Sequence, residues 1–126
     1  MIQSYFNKVR NKLKEISPLI QTDTSTFEMV SADMGTLRGR IAFIDGSALD
    51  FRELLSTNEH DYRFHWMDAS NKLIIRWDTV PHYKDLENFP YHRHLSRSVS
   101  SSEEMDFIAV LDYIKQGIVF KRLGRK

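Results

Sequence analysis

The feature that most constrains the fold is the run "DYRFHWMDASNKLIIRWDTV" (residues 61–80), in which apolar and polar residues alternate on both sides of a short polar segment. Alternation with a period of two is typical of β-strands with one buried face. A turn at Ala69-Ser70 predicts a hairpin whose large apolar side chains share one face, because side chains alternate along each strand. The residues on that face would be Tyr62, Phe64, Trp66, Leu73, Ile75 and Trp77.

The opposite face of this hairpin carries the polar chemistry. In the same register Arg63 lies directly opposite Arg76, and Asp78 follows one step along. Like charges in that arrangement repel and destabilise a strand pair. Two interpretations follow: solvated arginines neutralised by acids such as Asp78, or an anion site in which a phosphate bridges both guanidinium groups.

The rest of the chain predicts an α+β fold. Apolar residues recur at helical spacing in residues 1–17, and strand-like patterns fill residues 24–80;. We therefore expect an antiparallel four- to five-stranded meander sheet with an N-terminal and a C-terminal helix. Ser101 and Glu104 form a capping-box pattern for a helix over residues 102–116, with Gly117 as its stop;. The length of 126 residues suits a single domain;.

Composition excludes several classes of function. The absence of cysteine rules out disulfides, thiolate nucleophiles and cysteine-ligated zinc, and it fits a cytoplasmic location;. A formal net charge of +1 means that any nucleic-acid binding must depend on local patches rather than on a global field;. No apolar run approaches the roughly 20 residues that a membrane helix needs, so no membrane association is expected.

A loop rich in histidine and aromatic residues is predicted over residues 81–100. It carries His82, His92 and His94, and a loop of this length in a small domain is more often functional than incidental;. The side chains of His92 and His94 can project to the same side of an extended segment, because they are separated by one residue. We expect this loop to extend the polar face of the hairpin.

Metal-free cleavage of RNA is one chemistry that these residues could support. It requires a base and an acid, for which histidine suits neutral pH, and positive charge to stabilise the reacting phosphate. No cofactor is then needed. The candidate catalytic residues are Asp78, His82, His92 and His94, with Asp78 orienting a neighbour. The candidate substrate-binding residues are Arg63, His65, Arg76, Tyr83 and Tyr91.

Two alternatives remain open on the residues alone. The histidines at positions 82, 92 and 94, with Asp78 or Asp85, could hold a metal ion in a hydrolase, although no tight helix-borne metal motif is present. The same Arg/His face could also serve a non-enzymatic module that binds RNA or another protein.

Residues 62–95 resemble the TumE-type toxins of prokaryotic toxin–antitoxin pairs. Members of that family carry an aromatic-Arg-aromatic-His-Trp strand, a strand and exit of the form L-I-x-R-W-D-N-A-P-H-H, and a segment F-P-H-H-x-H. This chain has Thr79-Val80 where the family often has Asn-Ala, and tyrosines at 83 and 91 where it often has histidine. The matching residues are Tyr62, Arg63, His65, Trp66, Asp68, Leu73, Arg76, Trp77, Asp78, Pro81, His82, Phe89, Pro90, His92 and His94.

The resemblance implies a small α+β toxin that cleaves mRNA in association with translation. It also implies a cognate antitoxin from an adjacent gene, a DNA-binding protein of helix-turn-helix type. The expected partners are therefore an antitoxin protein and RNA, with the ribosome as a further candidate. A homodimer is compatible with the sequence.

Overall fold

The computed structural model describes residues 2–80 and 85–123, which form a sheet and two helices. The helices are α1 (Ile2–Glu15) and α2 (Phe107–Arg122), and a 3-10 turn (Ser17–Leu19) follows α1. Between the helices the described residues form eight strands: β1 (Ile20–Asp23), β2 (Thr26–Ser31), β3 (Met34–Phe43), β4 (Ala48–Ser56), β5 (His60–Met67), β6 (Leu73–Asp78), β7 (His92–Leu95) and β8 (Ser98–Ser101).

The strands form one open antiparallel sheet. From β3 to β8 each strand pairs with the next in chain order, while β1 and β2 pair with different parts of β3 at the edge. The predicted α+β fold, with its antiparallel meander and terminal helices, is confirmed. The sheet has more strands than the four or five expected.

Both helices cover one face of the sheet and leave the other face open. Phe107 of α2 stacks on Phe51, with ring centroids 4.2 Å apart, and lies over Phe64. Helix α1 approaches β3 closely at Gly35, where a Cβ atom would lie 2.9 Å from the ring of Phe6. The apolar sides of the strands and helices thus form a single core, as expected for a sheet solvated on one side;.

The segment expected to be a loop over residues 81–100 contains two strands, β7 and β8. The helix expected over residues 102–116 is α2, which begins later and runs past Gly117. Ser101 lies in β8 rather than in a capping box, and the side chain of Asp106 accepts the capping hydrogen bond from the amide of Ala109. The short strands escaped prediction because they carry histidine and serine instead of alternating apolar residues.

The register of the β5–β6 hairpin differs by two residues from the one expected. Trp66 pairs with Ile75 rather than with Leu73, because an irregularity follows Trp66 and the connection runs from Asp68 to Lys72. A shift of two preserves the faces, so the grouping of Tyr62, Phe64, Trp66, Ile75 and Trp77 on the core face is correct;. Leu73, expected on the same face, instead pairs with Met67 beyond the irregularity and lies outside the core cluster. The expected opposition of Arg63 and Arg76 is wrong: Arg63 pairs with Asp78, and the partner of Arg76 is His65.

The buried carboxylate of Glu53 is at the centre of a hydrogen-bond network that connects α1, the sheet and the segment before α2. Glu53 is fully buried on the helix-covered face, where it accepts hydrogen bonds from the Tyr5 hydroxyl (2.7 Å) and from Nε2 of His60 (2.6 Å). Nδ1 of His60 lies 2.6 Å from Glu104. Burial opposes the charge on His60, but the two carboxylates outweigh it and raise its pKa to about 9. Burial also raises the pKa of Glu53.

This network predicts that stability falls as the pH rises from about 6.5 to about 9. The pKa of His60 is higher in the folded state than the ordinary 6.5, so its stabilising contribution is complete below 6.5 and is lost as the pH passes 9;. Glu53, whose pKa is also raised, acts in the same direction. The contribution of His60 to this loss should be about 3 kcal/mol, the free energy that corresponds to the rise of its pKa from 6.5 to about 9;.

Urea unfolding at several pH values measures this dependence. The double variant Glu53→Gln, His60→Gln should show a nearly flat free energy of unfolding between pH 6.5 and 9. His65→Gln is the matched control, because burial and neighbouring arginines lower the pKa of His65. An equal slope in the double variant and in the wild type would contradict the assignment.

Candidate functional site

The open face of the sheet brings the predicted site residues of β6 and β7 together. Asp78 pairs with His92 and Arg76 pairs with His94. These four side chains point to the same face, because paired residues share a face and alternate residues along a strand do too. We refer to Arg76, Asp78, His92 and His94 as the Asp78 cluster.

Asp78 is the centre of this cluster and is 2% exposed. One carboxylate oxygen, Oδ2, accepts a hydrogen bond from Nε of Arg76 (3.1 Å) and lies 3.5 Å from Nε2 of His94. The other, Oδ1, contacts Nε2 of His92 and accepts a bond from the amide of Val80 (3.3 Å). A buried carboxylate requires such partners, since an unpaired buried charge is costly.

His92 is held at both ring nitrogens. Its Nδ1 donates to the carbonyl oxygen of Pro90 (2.9 Å), and its Nε2 contacts Asp78. Only 2% of its surface is exposed. These two contacts fix the orientation of the His92 ring next to Asp78 at the start of β7.

His94 has the electrostatic surroundings of a base. Burial, the charge of Arg76 and, to a smaller degree, His92 and Arg63 lower its pKa, although Asp78 acts in the opposite direction. A histidine with a lowered pKa is neutral at pH 7 and can accept a proton. Its ring lies beside that of His92, with centroids 4.9 Å apart.

Arg63 and His65 extend the same face onto β5. Arg63 pairs with Asp78 and His65 pairs with Arg76. Burial, followed by the charges of Arg63 and Arg76, lowers the pKa of His65. Both arginines thus influence the same histidines, although they are diagonal neighbours rather than direct partners.

Other predicted residues lie elsewhere. His82 and Tyr83 are outside the described residues. Tyr91 lies on the helix-covered side, where its ring is parallel to that of Tyr62 at 6.4 Å, so the structure does not bring it into the Asp78 cluster. Asp85 is exposed in the segment before β7.

A set of possible metal ligands coincides with the cluster. Among the described residues, one ligand atom each of Asp78, His92 and His94 lies within 4.8 Å of the others. Two nitrogens and a carboxylate oxygen suit several divalent ions. However, Asp78 already contacts His92 directly and accepts a bond from the cation Arg76, so a metal ion would have to displace these contacts.

Two arginines on the open face were missed by the sequence analysis. Arg38 of β3 pairs with Arg52 of β4, which in turn pairs with Arg63. The signal was available in part in β3, where Arg38 and Arg40 occupy alternate positions between Leu37 and Ile41, whereas β4 has a single arginine. The pairing across strands that unites them is a property of the assembled sheet.

The family "Toxin TumE" matches residues 9–118 of the chain. The protein therefore belongs to the TumE family of toxins, and a toxin of this kind has an antitoxin as its partner. No curated protein and no solved structure shows detectable similarity to it. Within residues 2–80 and 85–123, no helix combines the length and apolar character needed to cross a membrane.

The burial of Asp78 predicts that its replacement by alanine costs much more stability than the same replacement of Asp50, an exposed aspartate on the same face. Asp78→Ala should destabilise the protein by about 3–5 kcal/mol, because it leaves His92 and Arg76 without their carboxylate in a buried place. Asp50→Ala, which removes an exposed ion pair with Arg40 (2.9 Å), should cost about 1 kcal/mol or less;. Urea unfolding of both variants measures the difference, and equal losses would show that Asp78 has no central structural role.

Proposed function

We propose that this protein is an endoribonuclease toxin that cleaves mRNA by metal-free acid–base catalysis at the Asp78 cluster, acting in the cytoplasm. The observation that carries the proposal is that His94, a histidine with a lowered pKa, lies beside Arg76 and 3.5 Å from the buried Asp78. Membership of a toxin family supports the biological role. RNA, free or on the ribosome, is the proposed substrate, and the antitoxin would be a DNA-binding protein.

The proposed reaction is an attack of a ribose 2′-oxygen on the adjacent phosphorus. His94 accepts the 2′-hydroxyl proton as the new O–P bond forms. The bond from phosphorus to the 5′-oxygen then breaks, and a general acid donates a proton to that oxygen. His82 is the candidate acid from the sequence analysis. The products are a 2′,3′-cyclic phosphate and a 5′-hydroxyl.

The other residues of the Asp78 cluster, together with Arg63 and His65 of β5, support this step without exchanging protons. Arg76 and Arg63 stabilise the negative charge that develops on the phosphate oxygens, and such preorganised charge is often the largest catalytic contribution. Asp78 holds Arg76 and His94 in place. His92 positions Asp78, and His65 contacts the substrate at the edge of the site.

Expression in cells without the antitoxin tests the proposed toxicity. Wild-type protein should arrest growth and shorten mRNA half-lives, whereas Arg76→Ala, His94→Ala should leave both almost unchanged. Loss of one acid–base group typically costs about 10²–10⁴ in rate. Arg122→Ala is the control, since Arg122 lies at the end of α2. If wild type and the double variant leave growth and mRNA equally untouched, the proposal fails.

The pH dependence of RNA cleavage tests the role of His94. The rate should fall on acidification with a pKa below 6.5, because His94 must be neutral to act as the base. Arg76→Gln should lower the rate and move this pKa upward, since Arg76 is the strongest neighbouring charge that lowers it. An unchanged acidic limb in this variant, measured with a labelled RNA oligomer, would remove His94 from the role of base.

A metal-dependent hydrolase is the second candidate function, and the arrangement of Asp78, His92 and His94 favours it. RNA cleavage by the purified protein, measured with and without a chelator, distinguishes the metal-dependent reaction from the metal-free one. Cleavage that persists after chelation supports the metal-free reaction, whereas activity that chelation abolishes and a divalent ion restores supports the metal site. Purified protein that binds RNA but leaves it intact, with and without ribosomes, would identify a binding module instead.

A further inference from the structure

A row of like charges crosses the open face of the sheet. Arg38 of β3, Arg52 of β4 and Arg63 of β5 are direct partners in the antiparallel register, and the row continues to Asp78 and His92. Adjacent strands are roughly 5 Å apart, so Arg38 lies about 15 Å from the Asp78 position. Three consecutive strands thus each present an arginine on the way to the Asp78 cluster.

None of the three arginines in this row forms an ion pair within the described part of the chain. The neighbouring Arg40, by contrast, has a partner in Asp50, whose carboxylate oxygens both lie 2.9 Å from Nη1 of Arg40. Arg38 and Arg52 are exposed, and Arg63 is half-buried. Like charges directly opposite each other on a sheet are destabilising. An anion that spans the row would relieve this repulsion.

A cleft with an aromatic wall adjoins the row. It has a volume of about 770 Å³, and its lining includes Arg52 and Leu54 of β4, Asp61 of β5 and the segment Phe89-Pro90. Phe89 is 41% exposed. Aromatic side chains next to a cationic groove are the combination with which proteins bind single-stranded nucleic acid, since the bases stack and the phosphates pair with the cations.

We infer that Arg38, Arg52 and Arg63 form a track for the phosphate backbone of single-stranded RNA, with the Phe89 cleft receiving an unpaired base. The inference deepens the proposed function and rests on it. The track leads one strand of RNA along the row into the Asp78 cluster. The substrate of such a track is single-stranded RNA, because a double helix keeps its bases stacked inside the duplex, where they cannot reach Phe89.

Binding of a fluorescein-labelled oligouridylate of 12 nucleotides tests the track. The measurement uses His94→Ala as background, so that the RNA remains uncut. Introducing Arg38→Gln and Arg52→Gln together into this background should weaken binding about tenfold or more. The slope of log binding constant against log salt concentration should also decrease, by about 0.7 for each phosphate that the variant no longer neutralises. Arg122→Gln is the control. It also removes a positive charge, but Arg122 lies on α2, which covers the opposite face of the sheet.

The stability of one variant separates loss of binding from loss of folding. Arg52→Gln removes the central charge of the row and with it the repulsion from Arg38 and Arg63, so its melting temperature without RNA should equal or exceed that of the wild type. Its affinity for the oligomer should nevertheless fall. Phe89→Ala should also weaken binding, but without a change in the salt slope, because it removes stacking rather than charge.

Several outcomes would overturn the inference. Unchanged affinity in Arg38→Gln, Arg52→Gln would do so, and would leave an acidic surface of a protein partner as the occupant of the row. Equal weakening in Arg122→Gln would show a general effect of net charge. Binding of a 12-base-pair duplex as tight as that of the single strand would remove the role of the cleft.

Failure of the track and failure of catalysis are distinguishable with the intact protein. If the wild type binds the oligomer through the row but cuts no RNA, the proposed cleavage fails while the track stands. If it cuts, Arg38→Gln, Arg52→Gln should lower kcat/KM for the 12-mer and leave that for a dinucleotide unchanged, since a dinucleotide reaches only the Asp78 cluster. Equal losses on both substrates would contradict a track.

Discussion

The structure depends on the packing of both helices against one side of the antiparallel sheet. Because α1 and α2 bury that side, alternation along each strand sends every second side chain to the opposite, open side;. The Asp78 cluster, Arg63, His65 and the row of arginines all lie there. A shift of any strand by one residue would exchange core and site, so the apolar packing that stabilises the fold also holds the polar face in place.

Each side of the sheet contains one buried carboxylate with several polar partners. Glu53 lies under the helices, where Tyr5 and His60 satisfy it, and the raised pKa of His60 keeps a cation next to it at neutral pH. Asp78 lies on the open side among His92, His94 and Arg76. There burial, and after it the charge of Arg76, lower the pKa of His94, and a neutral histidine can accept a proton;.

The two-residue shift of the β5–β6 hairpin changes the chemistry of the site. In the expected register two arginines faced each other, and either a bound anion or a nearby carboxylate such as Asp78 would neutralise them. In the structure Asp78 lies opposite Arg63 and beside Arg76, so a carboxylate already separates the two cations. The arginines with no carboxylate directly opposite them are instead Arg38 and Arg52, on strands for which the sequence predicted no function. The positive charge on the open face therefore extends across three strands rather than residing in a single pair.

The sequence by itself determined the α+β class, the terminal helices and the two faces of the β5–β6 hairpin, because apolar periodicity reports which side of an element is buried. It also indicated the family through residues 62–95. Only the tertiary structure decided the register, which follows from the Asp68–Lys72 connection, and the pairing of His92 with Asp78 and of Arg52 with Arg63. These partners are far apart in the chain or carry no periodic signal. Their proximity arises from strand pairing, which a local pattern does not encode.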